Sequence, residues 1–291
     1  MQIVFHLGAH VTDEARAQKA LRKNAARLAD QGIAVPRPEE FRAPLAEALR
    51  ALQAGAEAQA VEDALLSALL GGTEATRLVI SVDSLLCPAD QVLGKDRLYP
   101  MAGPRAARLA ALFPGHRVEF HIGLRNPATF LPALHRRAGG GDFADFLADA
   151  DLQRLRWSDV LRRIAEATPA ARLVAWANED TPFIWPMLLR SLSAYRGETP
   201  LDGGDALIAG LLTEDGMARM TAYLDSHPPR TETQRRRILG AFLEKFARPG
   251  VVEMDLGDTG WTTAEVEQMT QAYELDLVEI ERMSHVTFLA P

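Results

Sequence analysis

Four short apolar runs constrain this chain more than anything else in it: "IVFHLG" (3–8), "RLVISVD" (77–83), "VEFHIGL" (118–124) and "RLVAWAN" (172–178). They are rich in Val and Ile and do not alternate cleanly with polar residues, which is the pattern of strands covered on both faces. Helical patterns fill the intervals. Residues 13–31 carry Ala17, Leu21, Ala25 and Leu28 on one stripe, with Gly32 as the stop. Residues 42–54 and 58–70 are Ala/Leu-rich, and a helix over 103–113 ends at "FPGHR". "SDVLRRIAEA" opens on Ser158 as N-cap, with Asp159 in the first turn. Strands spaced by helices predict an α/β three-layer fold, with a parallel sheet of four or five strands and right-handed crossovers.

Beyond residue 180 only helical patterns follow, so the last third reads as a helical layer on the sheet. The stretch "ETPLDGGD" (198–205) has linker-like residues and separates an α/β core (1–198) from a helical C-terminal subdomain (199–291) within a single domain. The formal net charge of -7 disfavours a nucleic-acid partner. A single cysteine, Cys87, excludes an internal disulfide, fits a reducing compartment and reads as a small buried hydrophobe. No run approaches the roughly 18 apolar residues of a membrane span. The opening "MQIVFHLGAH" has no basic region followed by a long apolar stretch. The expectation is a cytoplasmic chain with neither membrane nor nucleic acid as partner.

The stretch "HLGAHVTDEARAQ" (6–18) stands where the first strand enters the first helix. In parallel α/β sheets ligands sit at the carboxyl ends of strands, and phosphates favour this turn, where free N–H groups and the helix dipole converge. It reads either as such a seat or as a helix capped by its own residues, with Thr12 able to cap. The stretch resembles the start of the P-loop sulfotransferase-like family, whose phosphosulfate loop commonly runs His-hydrophobic-Gly-x-His-Lys-Thr-Gly-Thr-Thr-Ser-Leu-Gln. His6, Gly8, His10, Thr12 and Gln18 match. "NAARLADQGIAVP" resembles the end of that family's first helix, "VISVDSLL" its second strand, "GLRNPATF" its Arg-Asp/Asn-Pro element and "WANED" its fourth-strand end. The resemblance covers about residues 1–190. It implies a P-loop-like fold and a donor, 3′-phosphoadenylyl sulfate, held by Gly8, Thr12 and Arg125. Transfer would be to a hydroxyl or amine on a small-molecule or protein acceptor, with Asp83 and His10 as candidate catalytic groups.

The departures fall on the chemistry. The family's phosphate-contacting Lys corresponds to Val11, its Gly-Thr-Thr to Asp13, Glu14 and Ala15, and a later Ser to Ala133. Val11 can neither neutralise phosphate nor stabilise transferred charge. A phosphate about 5 Å from one carboxylate meets roughly 3 kcal/mol of repulsion per unit charge at an effective dielectric near 20. The expectation is therefore a sulfotransferase-like protein that has lost standard donor binding, needs no cofactor and acts as a binding or scaffold protein. Two alternatives stand beside it. One is an active transferase with a rebuilt donor site, and the other a metal-dependent enzyme using His6, His10 and Asp83. Arg125, at a strand end before Pro127, is placed either to take a phosphate or to pair with Asp83 or Glu179. Arg235, Arg236 and Arg237 read as a solvated helix burying Ile238, Phe242 and Phe246, or as a nucleotide grip. Trp157, Trp176, Trp185 and Trp261 read as packing, although "WANEDTPFIW" could line a pocket at the sheet's carboxyl edge.

Overall fold

The computed structural model describes residues 1–13, 15–251 and 253–291. Glu14, the second acid expected in the opening turn, lies outside the described residues. In chain order the elements are β1 (Gln2–His6), α1 (Arg16–Lys23), α2 (Ala25–Ala29), β2 (Ile33–Ala34), α3 (Pro38–Gln53), α4 (Ala58–Leu70), β3 (Arg77–Ser81), α5 (Ala102–Ala111), β4 (Arg117–Leu124) and α6 (Pro127–Arg137). They continue with α7 (Phe143–Leu147), α8 (Trp157–Ala167), β5 (Arg172–Ala177), α9 (Thr181–Ser193), α10 (Ala206–Leu211), α11 (Glu214–Ser226), α12 (Glu232–Phe246), α13 (Thr263–Glu281) and β6 (Val286–Phe288).

One parallel sheet of six strands runs in the order β2-β3-β1-β4-β5-β6. The four expected strands are its centre. The two additional strands are its edges, of two and three residues, too short to show a period. β6 also corrects the purely helical reading of the last third: the chain end returns to pair with β5.

Strand alternation divides the burial. One face carries Ile3, Phe5, Leu78, Ile80, Phe120 and Ile122, which join side chains of α3, α4, α5, α6, α8 and α13 in the main core. The opposite face carries Val4, Val79 and Trp176 against Leu21, Leu28, Ile184, Leu188 and Leu192 of α1, α2 and α9. The same alternation puts His6, Arg77, Ser81, Glu119 and His121 on this second face, all buried. Gly123 makes room there for Trp176: an added Cβ would stand 3.2 Å from the indole.

Two local expectations are corrected. The predicted helix over 13–31 starts at Arg16 and divides at Asn24. The Asn24 carboxamide donates to the carbonyls of Ala20 and Asp202 and accepts from the Asp202 N–H, so it competes with the helical ladder while tying down the 200–202 segment. Ser158 is not the N-cap of α8, which begins one residue earlier. The cap comes from far along the chain: Asp276 of α13 accepts from the N–H of Trp157 (2.6 Å) and of Ser158 (3.2 Å). In α12, Leu239 is the buried residue, and Phe242 and Phe246 are half-buried against Ile208, Leu212 and Met220. Among the described residues no helix is long and apolar enough to cross a membrane.

Candidate functional site

β1 and β4 are neighbours, and the connections leaving them run to opposite sides of the sheet. The crevice outside their carboxyl ends is where an open α/β sheet binds ligands. Two segments meet there: the turn after β1 and the Arg125-Asn126 element after β4.

The turn bends through left-handed backbone at Gly8 (φ 41°), Val11 (φ 54°) and Ala15 (φ 62°). Glycine takes that conformation freely, whereas a β-branched valine is strained in it. A hydrogen bond from outside the turn holds the Val11 carbonyl. Arg125 donates from Nη1 to the Val11 carbonyl at 2.6 Å and from Nε to Thr129 Oγ1 at 3.1 Å. Thr12 does not cap α1; its hydroxyl donates to the Ala9 carbonyl at 2.5 Å. The acid beside it takes the amides: Asp13 Oδ1 accepts from Ala15 N–H and Oδ2 from Ala17 N–H, both at 3.0 Å. Asp13 is buried. A carboxylate of the chain thus occupies the N-terminal end of α1, where its charge suits the helix dipole.

His6 lies under this turn. Its Nδ1 is 2.8 Å from Ser81 Oγ and 4.0 Å from Asp13 Oδ2, and its ring stands 5.8 Å from Trp176. Nε2 is buried without a hydrogen-bond partner. Burial pushes the imidazole below its usual pKa, against the pull of Asp13 and Asp83. Neutral His6 brings no positive charge to the turn. His121, directly across from His6 in register, is also buried, and burial takes it down to about 4 against the pull of Glu119. Glu119 is raised by burial but held at about 2 by His121 and Arg77, with Arg77 Nη2 at 2.8 Å. Arg77 further donates to the carbonyls of Leu192 and Ser191.

His10 faces the other way. The Tyr99 hydroxyl accepts from the His10 N–H at 2.9 Å and lies 2.8 Å from His10 Nδ1, so one hydroxyl holds both the backbone and the ring of His10. Burial lowers the His10 pKa against the pull of Asp83. Asp83 lies beyond the end of β3, 3.7 Å from Arg137 Nη2. Glu179 accepts from the N–H of Asn126 at 2.9 Å and from the Tyr273 hydroxyl at 2.9 Å. Ala133 is buried inside α6. Cys87 is buried, which raises its thiol to about 11.

Beside the turn opens a cleft of about 240 Å³ lined by Thr12, Asp13 and Arg16 on one side and by Asn178, Thr181 and Leu207 on the other. The "WANEDTPFIW" segment lines a pocket at the sheet's carboxyl edge, as its position suggests. Among the described residues, no group of three His, Cys, Asp or Glu side chains is placed to hold a metal ion.

Tyr99 and Ser81 are the site residues that sequence reasoning does not reach, and beneath them it also misses the buried Arg77–Glu119–His121 chain, which runs toward the amino ends of the strands. One signal for them is present. "FHLG" (5–8) and "FHIG" (120–123) repeat one pattern, and that repetition puts His6 and His121 side by side in adjacent strands. Comparison of the chain with protein-family models, curated proteins and solved structures returned no match.

Proposed function

We propose that this chain is a sulfotransferase-like protein whose phosphosulfate turn is filled by its own carboxylate, and that it works by binding a small-molecule or protein partner rather than by sulfuryl transfer. The observation that carries this reading is the Asp13 carboxylate on the amides of Ala15 and Ala17. An incoming phosphate would need those same N–H groups, and it would meet a buried carboxylate where the family has glycine, and a valine, Val11, where the family has lysine. Arg125, which the resemblance assigns to the donor's 3′-phosphate, spends Nη1 on the Val11 carbonyl. Neutral His6 adds no compensating charge.

Calorimetric titration of the chain with 3′,5′-ADP tests the reading. No saturable binding in the micromolar range is expected, and a micromolar Kd would overturn it. The cleft beside the turn favours one second reading, a transferase with a rebuilt donor site, since Arg16, Thr181 and Asn178 offer polar groups there. On that reading Arg125→Ala abolishes binding of the donor nucleotide; on the first there is no binding to abolish.

A further inference from the structure

A second cavity, of about 770 Å³, lies between α9, the 200–205 segment and helices α10, α11 and α12, sharing Ala206 with the cleft beside the Asp13 turn. Its size is that of a small-molecule site. Its walls are mostly apolar, with Met187, Leu189, Leu201 and Met217 among them. Methionine side chains adapt to irregular ligand shapes at low cost.

The polar groups on the wall settle the sign of a ligand. Asp202 is paired with Arg27 (2.9 Å), and Asp205 with Nη2 of Arg235. Glu232 is exposed at the first residue of α12, where water and the helix dipole both stabilise it. Of the two cations on the wall, Arg190 is exposed to solvent and makes no side-chain hydrogen bond or ion pair among the described residues, and the less well served one is Arg235. Arg235 is largely buried, and its Nη1 has no hydrogen-bond partner. A buried donor without an acceptor costs free energy that a solvated carboxylate does not. The unmet demand in this cavity is therefore for an acceptor.

The geometry points to a binding site for an amphipathic anion, an apolar body against Met187, Leu201 and Met217 with a carboxylate head on Arg235 and Arg190. No residue of the Asp13 turn lines it.

Calorimetry of the full chain with decanoate, decanol and decylamine tests it. Decanoate is expected to bind saturably, and about tenfold or more tighter than either comparator. Arg190→Gln weakens decanoate by about tenfold. Ala209→Trp, which fills the cavity and is checked for folding by circular dichroism, abolishes binding. Absence of saturable heat with decanoate overturns the inference. So does equal affinity for decanol or decylamine, or undiminished decanoate binding in folded Ala209→Trp.

Discussion

Replacing Asp13 by alanine separates what the carboxylate does for the fold from what it does to ligands. Asp13 accepts two amide hydrogen bonds at 3.0 Å, one from Ala17 in the buried first turn of α1. Loss of an N-terminal cap costs about 0.5–2 kcal/mol, and leaving a buried donor unsatisfied costs about 1–3 kcal/mol. The combined effect is about 2 kcal/mol, because water entering the adjoining 240 Å³ cleft partly serves the freed amides. For a chain of 291 residues that lowers Tm by about 3–4 °C. The same substitution removes the charge that repels anions and frees the N–H groups that bind them. Sulfate or inorganic phosphate should then restore stability in Asp13→Ala while leaving the parent chain almost unmoved. At an anion concentration one hundred times Kd the gain is about 2.7 kcal/mol, enough to offset the lesion. Differential scanning fluorimetry across a sulfate series, with chloride at matched ionic strength, reads both effects. The reasoning fails if Asp13→Ala melts with the parent. It also fails if sulfate stabilises the two chains equally, since Asp13 would then not be what occupies the seat.

Three further outcomes follow from the packing. Gly123→Val places carbon about 3.2 Å from the Trp176 indole; it should destabilise by about 1–3 kcal/mol and shift the tryptophan emission, as read in urea titrations followed by fluorescence. Asp276→Ala removes the only acceptor identified for the N–H groups of Trp157 and Ser158 among the described residues; a loss of about 1–2 kcal/mol is expected, whereas Ser158→Ala, changing a residue that does not cap, should cost less. Acid should weaken the fold in two steps. Folded His121 titrates near 4, below its usual range, so the unfolded chain binds the extra proton and up to about 3 kcal/mol is lost as pH falls from about 6.5 to 4. Glu119, held at about 2, adds a further loss between about pH 4.5 and 2. Urea stability measured from pH 8 downward should decline over the upper window, and His121→Gln should remove the His121 share of that decline, leaving the share of His6 and His10, whose pKa values burial also lowers.

Local sequence was sufficient for the centre of this molecule. Fully buried strands lose polar alternation, so the runs at 3–8, 77–83, 118–124 and 172–178 declare a parallel sheet without any knowledge of what covers them. The turn was legible too, down to the acid in it, because a helix start with a strand before it is a matter of consecutive residues. Asp13 reaches no further than Ala15 and Ala17. Everything that required a distant partner was not legible. Which acid caps α8 was decided by α13 folding back over it, and Ser158, the local candidate, lost to Asp276 because the Oδ2 of that buried carboxylate arrives within reach of both the Trp157 and the Ser158 amides. The ring of His10 was placed by Tyr99, 89 residues away, and the low pKa of Glu119 by His121 together with Arg77, the latter 42 residues away. The edge strands β2 and β6 owe their form to a neighbour's unpaired ladder rather than to any period of their own. Backbone periodicity is written in spacing along the chain, whereas protonation, capping and edge pairing depend on the field and the hydrogen-bond partners that only a closed three-dimensional packing brings within reach.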